Sequence, residues 1–249
     1  MYLKEKEQEL VDLLTQSNTI VSVKEICKKL FISEPTARRY ISALHDKGLV
    51  LRTHGGAIIN YNTSSNKSVP LYFRISSMSE EKNSIAKQAS SLIKDGNVIF
   101  LDASSSAFHL LPHLKNFHDI TVCTNSLKTA VTLGEMNIKT ICLGGDVSSY
   151  NLSCNGYETI ASIKNFYADL LFFSCDALNE QGMLSDNSKE SSYIRREFIK
   201  NSKTRVLLLD ASKINKQCWH SLCHLSEIDY CFCDSPLPQS LTQLLKAQK

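Results

Sequence analysis

The spacing of apolar positions changes period along this chain. From Val23 to Lys47 it is helical: Ile26 and Leu30 stand one turn apart, and Ala37, Ile41 and Leu44 recur at i, i+4 and i+7. This predicts two helices, Val23 to about Leu30 and Glu34 to about Lys47, joined by the apolar turn Phe31-Ile32. Ser22 and Ser33 stand at N-cap positions. Pro35 falls in a first turn, where backbone N–H groups have no intrahelical partner to lose, and Gly48 follows as a C′ residue would. The period then shortens. Leu49–Thr53 and Ala57–Ile59 read as two short strands around Gly55-Gly56. The pattern is that of a winged helix–turn–helix, a fold that reads duplex DNA.

Residues 60–70 are polar and without periodicity, as in a linker. Beyond them, continuous apolar runs at Val98–Leu101, Ile120–Cys123, Thr140–Leu143, Leu170–Phe173, Arg205–Leu209 and Tyr230–Cys233 alternate with helical stretches. The helices fall at about 80–94, 106–115, 126–136, 156–165, 188–202 and 237–247. Such runs predict strands covered on both faces. The fold class is therefore α/β: an N-terminal winged helix–turn–helix, then a doubly wound, mainly parallel α/β effector domain. We expect a DNA-binding domain at 1–60, a linker at 61–72 and an effector domain at 73–249.

Composition narrows the classes. Of 249 residues, 43% are hydrophobic and 21% charged, ordinary for a globular protein. A net charge of +3 is too small for nonspecific nucleic-acid binding by the whole chain. The positive charge is local: Lys24, Lys28, Lys29, Arg38, Arg39, Lys47 and Arg52 outnumber Glu25, Glu34 and Asp46. The first residues read as a charged amphipathic helix rather than a signal peptide, and no apolar run approaches the ~20 residues that span a bilayer. Nine cysteines in such a chain predict reduced thiols in the cytoplasm. Cys123, Cys142 and Cys175 sit in or beside apolar runs, as small hydrophobes do.

On the wheel of the second helix, Arg39 projects almost opposite the apolar stripe, with Pro35 and Ser42 beside it and Arg38 and Thr36 on the flanks. Arg39 is thus placed for bidentate contact with guanine. Arg38 and the wing residues Arg52 and His54 suit phosphates. Ser33 and Gly55 complete the expected DNA-binding set. Such a reader generally uses two half-sites, so a homo-oligomer is expected.

The other polar groups gather just past the predicted strands: Asp102, Ser104, Ser105, Ser106, Asn125, Gly144, Gly145, Asp176, Asp210 and Lys213. In an open parallel sheet, ligands bind beyond the carboxyl ends of the strands. The serines offer hydroxyls and N–H groups to an anion, Lys82 and Lys213 add charge, and Asp102 and Asp176 suit hydroxyls. Taken singly, each loop is equally a set of helix caps; five together predict a small-molecule site. A metal or redox signal is the alternative, because Cys218, His220, Cys223, His224, Cys231 and Cys233 lie close together, though at no closed zinc spacing. His109 and His113 read as surface residues. A sugar-phosphate isomerase, with Asp102, Asp176 and Lys213 as acid and base, would leave the winged helix without a purpose. We expect no catalytic residues, no metal and no cofactor.

Ser33-Glu34-Pro35-Thr36-Ala37-Arg38-Arg39, Leu44, Gly48-Leu49 and Arg52-Thr53-His54-Gly55-Gly56-Ala57 together resemble the N-terminal signature of the DeoR family of bacterial transcription regulators. Ala37 stands where the family has Ile, and Tyr40 where it has Asp. The resemblance continues through Glu81-Lys82, Ile85-Ala86, Asp95-Gly96, Leu101-Asp102-Ala103, Thr124-Asn125-Ser126, Gly144-Gly145 and Asp210-Ala211-Ser212-Lys213. It implies a repressor of carbohydrate genes, with an effector domain similar in fold to ribose-5-phosphate isomerase and a phosphorylated sugar as effector. By that similarity, Lys82 and the loop at 104–106 face the phosphate. Ser104, Ser174 and Ala177 stand where the family commonly has glycine, which narrows the approach of backbone to ligand.

Overall fold

The computed structural model describes residues 5–17, 20–47, 49–59, 71–76, 78–149 and 151–245. Contacts divide the chain into two units, Met1–Ser77 and Met78–Lys249. The expected linker falls almost wholly outside the described residues, as does Gly48.

The first unit contains α1 (Glu5–Ser17), β1 (Val21–Ser22), α2 (Val23–Leu30), α3 (Glu34–Asp46), β2 (Val50–Arg52), β3 (Gly56–Ile59) and α4 (Leu71–Ser76). Its core joins Leu10 and Leu14 of α1 to Ile26 and Leu30 of α2 and to the predicted stripe Ala37, Ile41 and Leu44 of α3. Helix α4 packs on α1 and so belongs to this unit, although it overlaps the residues expected to begin the effector domain. Ser22 caps α2 as expected, its Oγ accepting from the Glu25 N–H at 3.2 Å. Ser33 has cap dihedrals but makes no cap bond. Pro35 removes one N–H that a cap would reach, and the Thr36 hydroxyl engages Ser33 Oγ at 2.9 Å instead.

The wing is a three-stranded sheet in the order β1-β3-β2. Strand β1 is too short to show in the sequence, yet it explains Gly56. A Cβ there would lie 2.0 Å from the Val21 carbonyl oxygen, so the β1–β3 pairing requires glycine.

The second unit runs α5 (Ser79–Ala89), β4 (Val98–Leu101), α6 (Ser105–Phe108), α7 (Leu111–Leu114), β5 (Thr121–Thr124), α8 (Leu127–Glu135), β6 (Lys139–Cys142), β7 (Asp146–Ser148), β8 (Ser153–Asn155), α9 (Tyr157–Ile163) and β9 (Ala168–Phe173). It continues with β10 (Ala177–Leu178), β11 (Met183–Asp186), α10 (Lys189–Lys200), β12 (Ser202–Leu209), β13 (His220–His224), β14 (Tyr230–Cys233) and α11 (Gln239–Thr242).

All six predicted runs become strands of one parallel sheet, ordered β14-β12-β9-β4-β5-β6. Alternate residues of the four inner strands enter opposite cores. Phe100, Leu171, Phe173, Leu207 and Leu209 pack with Ile163 of α9 and Phe198 of α10. Ile99, Leu101, Phe172 and Leu208 pack with Ile85 of α5, Leu110 and Leu133 of α8. Burial on both faces is why these inner strands read as unbroken apolar runs.

Two helices differ from expectation. The stretch 106–115 divides into α6 and α7, with Pro112 seated in the first turn of α7. The last helix is only Gln239–Thr242, where Pro238 precedes it. The hairpin β7–β8 and a second, antiparallel sheet in the order β10-β11-β13 are additions to the predicted fold.

Candidate functional site

Helix α3 exposes Pro35, Arg38 and Arg39, with Ser33 exposed before its first turn; Thr36 and Ser42 are half-buried. The guanidinium carbon of Arg39 lies 5.4 Å from the centroid of the Tyr40 ring, which steadies the arginine by cation–π attraction while leaving its N–H edge available. Arg38 is engaged with its own helix: its Nη2 donates to Glu34 Oε1 at 2.7 Å and its Nε to the same oxygen at 3.2 Å. Both side chains are more than half exposed, so the pair has little hold on the arginine. On the wing, Arg52, His54 and Gly55 are exposed. The turn is closed by Thr53 N–H donating to the Gly56 carbonyl at 3.0 Å, and Val23 N–H donates to the Gly55 carbonyl at 2.9 Å.

In the second unit, the carboxyl ends of four adjacent strands, β12, β9, β4 and β5, carry Asp210–Lys213, Ser174–Asp176, Asp102–Ser106 and Asn125. Lys213 Nζ donates to Ser174 Oγ at 2.9 Å and pairs with Asp210 Oδ2 at 3.2 Å. Asp210 also accepts from the Ser212 hydroxyl. Burial works to raise the Asp210 pKa, but Lys213, the Ser212 hydroxyl and the nearby charge of Lys82 outweigh it and hold the carboxylate below its ordinary value. Lys82 itself is buried in α5. One buried cation and one half-buried cation thus act on a single buried carboxylate.

Beside them, Asp102 is buried and fully occupied. Its Oδ1 accepts from Ser104 N–H at 3.1 Å and Ser104 Oγ at 2.5 Å, and its Oδ2 from Ser174 N–H at 3.4 Å and Arg195 Nε at 2.8 Å. Arg195 reaches onward to Asp186 Oδ1 at 2.8 Å. Asp186 in turn holds the Ser192 hydroxyl at 3.2 Å and the Asp176 N–H at 3.1 Å. This chain ties the main sheet to α10 and the smaller sheet. Burial pushes the Asp186 pKa up, against the pull of Arg195. Arg195 was missed by sequence reasoning. Its signal was a charge at a buried helical position, since Ser192, Arg195 and Ile199 share one buried side of α10.

Among the described residues of this unit, two buried side-chain oxygens have no protein partner: Ser106 Oγ and Asn125 Oδ1. The Asn125 amide nitrogen is used, donating to the Cys154 carbonyl at 3.0 Å. Ser105 is buried as well. Buried polar atoms are normally hydrogen-bonded, so these two mark a place where a polar group fits.

The structure employs the remaining predicted residues in local architecture. Gly144 accepts from the Thr159 hydroxyl at 2.6 Å, and a Cβ on Gly145 would meet that hydroxyl at 2.1 Å. Both glycines are exposed and seat α9. Asp176 Oδ2 receives the Asn187 N–H at 2.9 Å. Ser104 Oγ accepts from Ala107 N–H at 3.1 Å, capping α6. His109 is buried and bonded to Asn83 Oδ1 at 2.7 Å, which corrects its reading as a surface residue. Cys142 is exposed, unlike Cys123 and Cys175, because it ends the edge strand β6.

Among the described residues, no three His, Cys, Asp or Glu side chains converge as metal ligands. His224 is committed to Ser226 Oγ and the Gln181 carbonyl, both at 2.8 Å. Burial pushes the thiols of Cys123 and Cys218 up to about 11 and that of Cys175 to about 12, which makes thiolate scarce at neutral pH.

A DeoR-like helix–turn–helix domain matches residues 6–63, and the DeoR C-terminal sensor domain matches residues 77–235. The chain belongs to the DeoR family. It is 33% identical to the HTH-type transcriptional regulator GolR of Listeria innocua, over 97% of this chain and 94% of that protein. It is 32% identical to the transcriptional repressor GlcR of Bacillus subtilis, over 98% and 93%. The glycerol-3-phosphate regulon repressor of Escherichia coli is 27% identical over 95% and 92%. Among solved structures, ribose 5-phosphate isomerase A of Methanocaldococcus jannaschii is similar at a TM-score of 0.42 and 21% identity, over 55% of each chain, too distant to bear on chemistry. This DeoR-family transcriptional regulator thus joins a DNA-binding domain to a sensor domain. Among its described residues no helix is long and apolar enough to cross a membrane.

Proposed function

We propose that this regulator represses a carbohydrate-utilisation operon and that a phosphorylated sugar, bound in the sensor domain, changes its affinity for operator DNA. The observation that carries the sensor half is the pair Lys82, buried, and Lys213, half-buried, acting on Asp210 at the same edge of the sheet that carries the unpartnered Ser106 Oγ and Asn125 Oδ1. Two sheltered cations suit a phosphate, and an orphan acceptor and a free hydroxyl suit sugar hydroxyls. Asp102, Ser104, Asp176 and the two glycines act behind this set by fixing its loops. The names of the relatives point the same way: one is a repressor of a glycerol-3-phosphate regulon, another an L-fucose operon activator.

In the DNA-binding half, Arg39 reads a base edge, and Arg38, Arg52 and His54 hold phosphates, with Ser33, Pro35, Thr36, Ser42 and Gly55 shaping the approach. The working form is a homo-oligomer acting on duplex DNA in the cytoplasm, since one module supplies the contacts of one half-site. The relatives named are regulators, and we assign no enzymatic step. The raised thiols weigh against the alternative of a redox signal.

The test is thermal melting with a panel of sugar phosphates, followed by DNA-binding measurements with the ligands that shift it. A cognate ligand at a hundredfold excess over its Kd stabilises by about 2.7 kcal/mol. The unphosphorylated sugar gives much less. A panel that moves neither melting nor DNA affinity overturns the reading.

A further inference from the structure

The Ser174 hydroxyl is held at both ends inside the candidate site. It donates to the Leu208 carbonyl at 2.6 Å and accepts from Lys213 Nζ at 2.9 Å, while the side chain is almost wholly buried. A lysine ammonium has three donors. Ser174 takes one and Asp210 a second, so a ligand meets Lys213 through the third. The hydroxyl has no proton left for a ligand, because it points to Leu208, and Lys213 takes one of its two lone pairs.

Without that side chain, the Lys213 N–H and the Leu208 carbonyl would flank a space matched to one hydroxyl, which accepts from the first and donates to the second. A glycine at this position would leave that space to the ligand. We propose that Ser174 is a specificity-determining residue, an internal hydroxyl occupying the subsite between Lys213 and the Leu208 carbonyl that a sugar hydroxyl would otherwise fill. The site therefore takes phosphorylated sugars that lack an oxygen at that end. This inference rests on the sugar-phosphate reading of the site.

Calorimetry on the full chain and on Ser174→Gly and Ser174→Ala tests it with matched ligands. The pairs are ribose 5-phosphate with 2-deoxyribose 5-phosphate, glucose 6-phosphate with 2-deoxyglucose 6-phosphate, and ribose 5-phosphate with erythrose 4-phosphate. We expect the native protein to bind the member with fewer oxygens at least as well as the other. In Ser174→Gly, one pair should shift by about tenfold toward the member with the extra hydroxyl, the worth of one hydrogen bond. Ser174→Ala, which keeps Cβ, should shift by less. Circular dichroism establishes that each variant is folded, and if the glycine variant is not, the direction of the alanine shift decides. If the native protein binds a sugar phosphate and the folded variants keep every ratio within twofold, Ser174 has no part in specificity. If the native protein binds none of these ligands, the sugar-phosphate reading fails first and takes this inference with it.

Discussion

Two arginines in this molecule make carboxylate bonds of nearly the same length and do opposite work. Arg38 meets Glu34 at 2.7 Å on the open face of α3, with side chains 57% and 53% exposed. Arg195 meets Asp102 and Asp186 at 2.8 Å, with side chains 10%, 2% and 0% exposed. An exposed pair exchanges water for a partner at little net gain and yields when a better anion arrives. A buried arginine between two buried carboxylates has no water to return to, so removing it strands both charges. Bond length does not separate a residue that can meet DNA from one that holds the sensor together. Burial does.

Breaking the buried side of this comparison should have the largest effect. Arg195→Ala is expected to lower the stability of the sensor domain by ~3–5 kcal/mol, read as a shift of its urea transition. A loss under ~1 kcal/mol would mean that water already shares this cluster. On the exposed helix, Arg39→Ala should cost ~1–3 kcal/mol of discrimination between operator and random DNA, measured by fluorescence anisotropy, with folding unchanged.

Lys213→Ala sharpens the comparison through pH. Asp210 titrates below its ordinary value in the folded chain, so the stability it contributes is in place above that ordinary value and is lost as pH falls through the lowered one. Removing Lys213 leaves burial as the leading influence on Asp210. Its folded pKa should then rise above the unfolded value, and the variant should gain stability as pH falls through that window. Melting curves from neutral to acid pH would show it, and an unchanged profile would mean that the Ser212 hydroxyl and Lys82 suffice to hold Asp210. The smallest effect is expected from Arg38→Ala. Operator and random DNA should weaken equally, the slope of log affinity against log salt should fall by about 1, and stability should stay within about 0.5 kcal/mol.

What could be read beforehand follows the same division. The four inner sheet strands were legible because both faces of each are buried, which makes the run continuous and apolar, while the edge strands β6 and β14 showed only as short, partly apolar runs. Strand β11 was not, because half of Met183–Asp186 is buried polar: Ser185 and Asp186 lie inside a hydrogen-bonded network that leaves no apolar run. Strand β13 looked like part of a ligand cluster because its histidines carry ligand chemistry, but its pairing with β11 sets them into a sheet. Asp102, Asp210 and Lys213 stood out just past apolar runs, and Lys82 through the family signature Glu81-Lys82. Arg195 did not, since one cation among four in a polar helix resembles its solvated neighbours until its partners are known. Ser174 was visible only as a departure from glycine, and its role depends on two partners, Leu208 and Lys213, that are distant in sequence.

The stitch between Val21 and Gly56 has a consequence for the DNA itself. With Gly56 pressed onto the Val21 backbone and Val23 bonded to Gly55, the wing cannot swing independently of the helices it follows. Wing and helix α3 form a ruler of fixed length. On the docking proposed above, the interval between a base edge under Arg39 and a phosphate under Arg52 would be a constant of the protein. An operator half-site that gains or loses one base pair within that interval would fall out of phase with it, however well its remaining letters match.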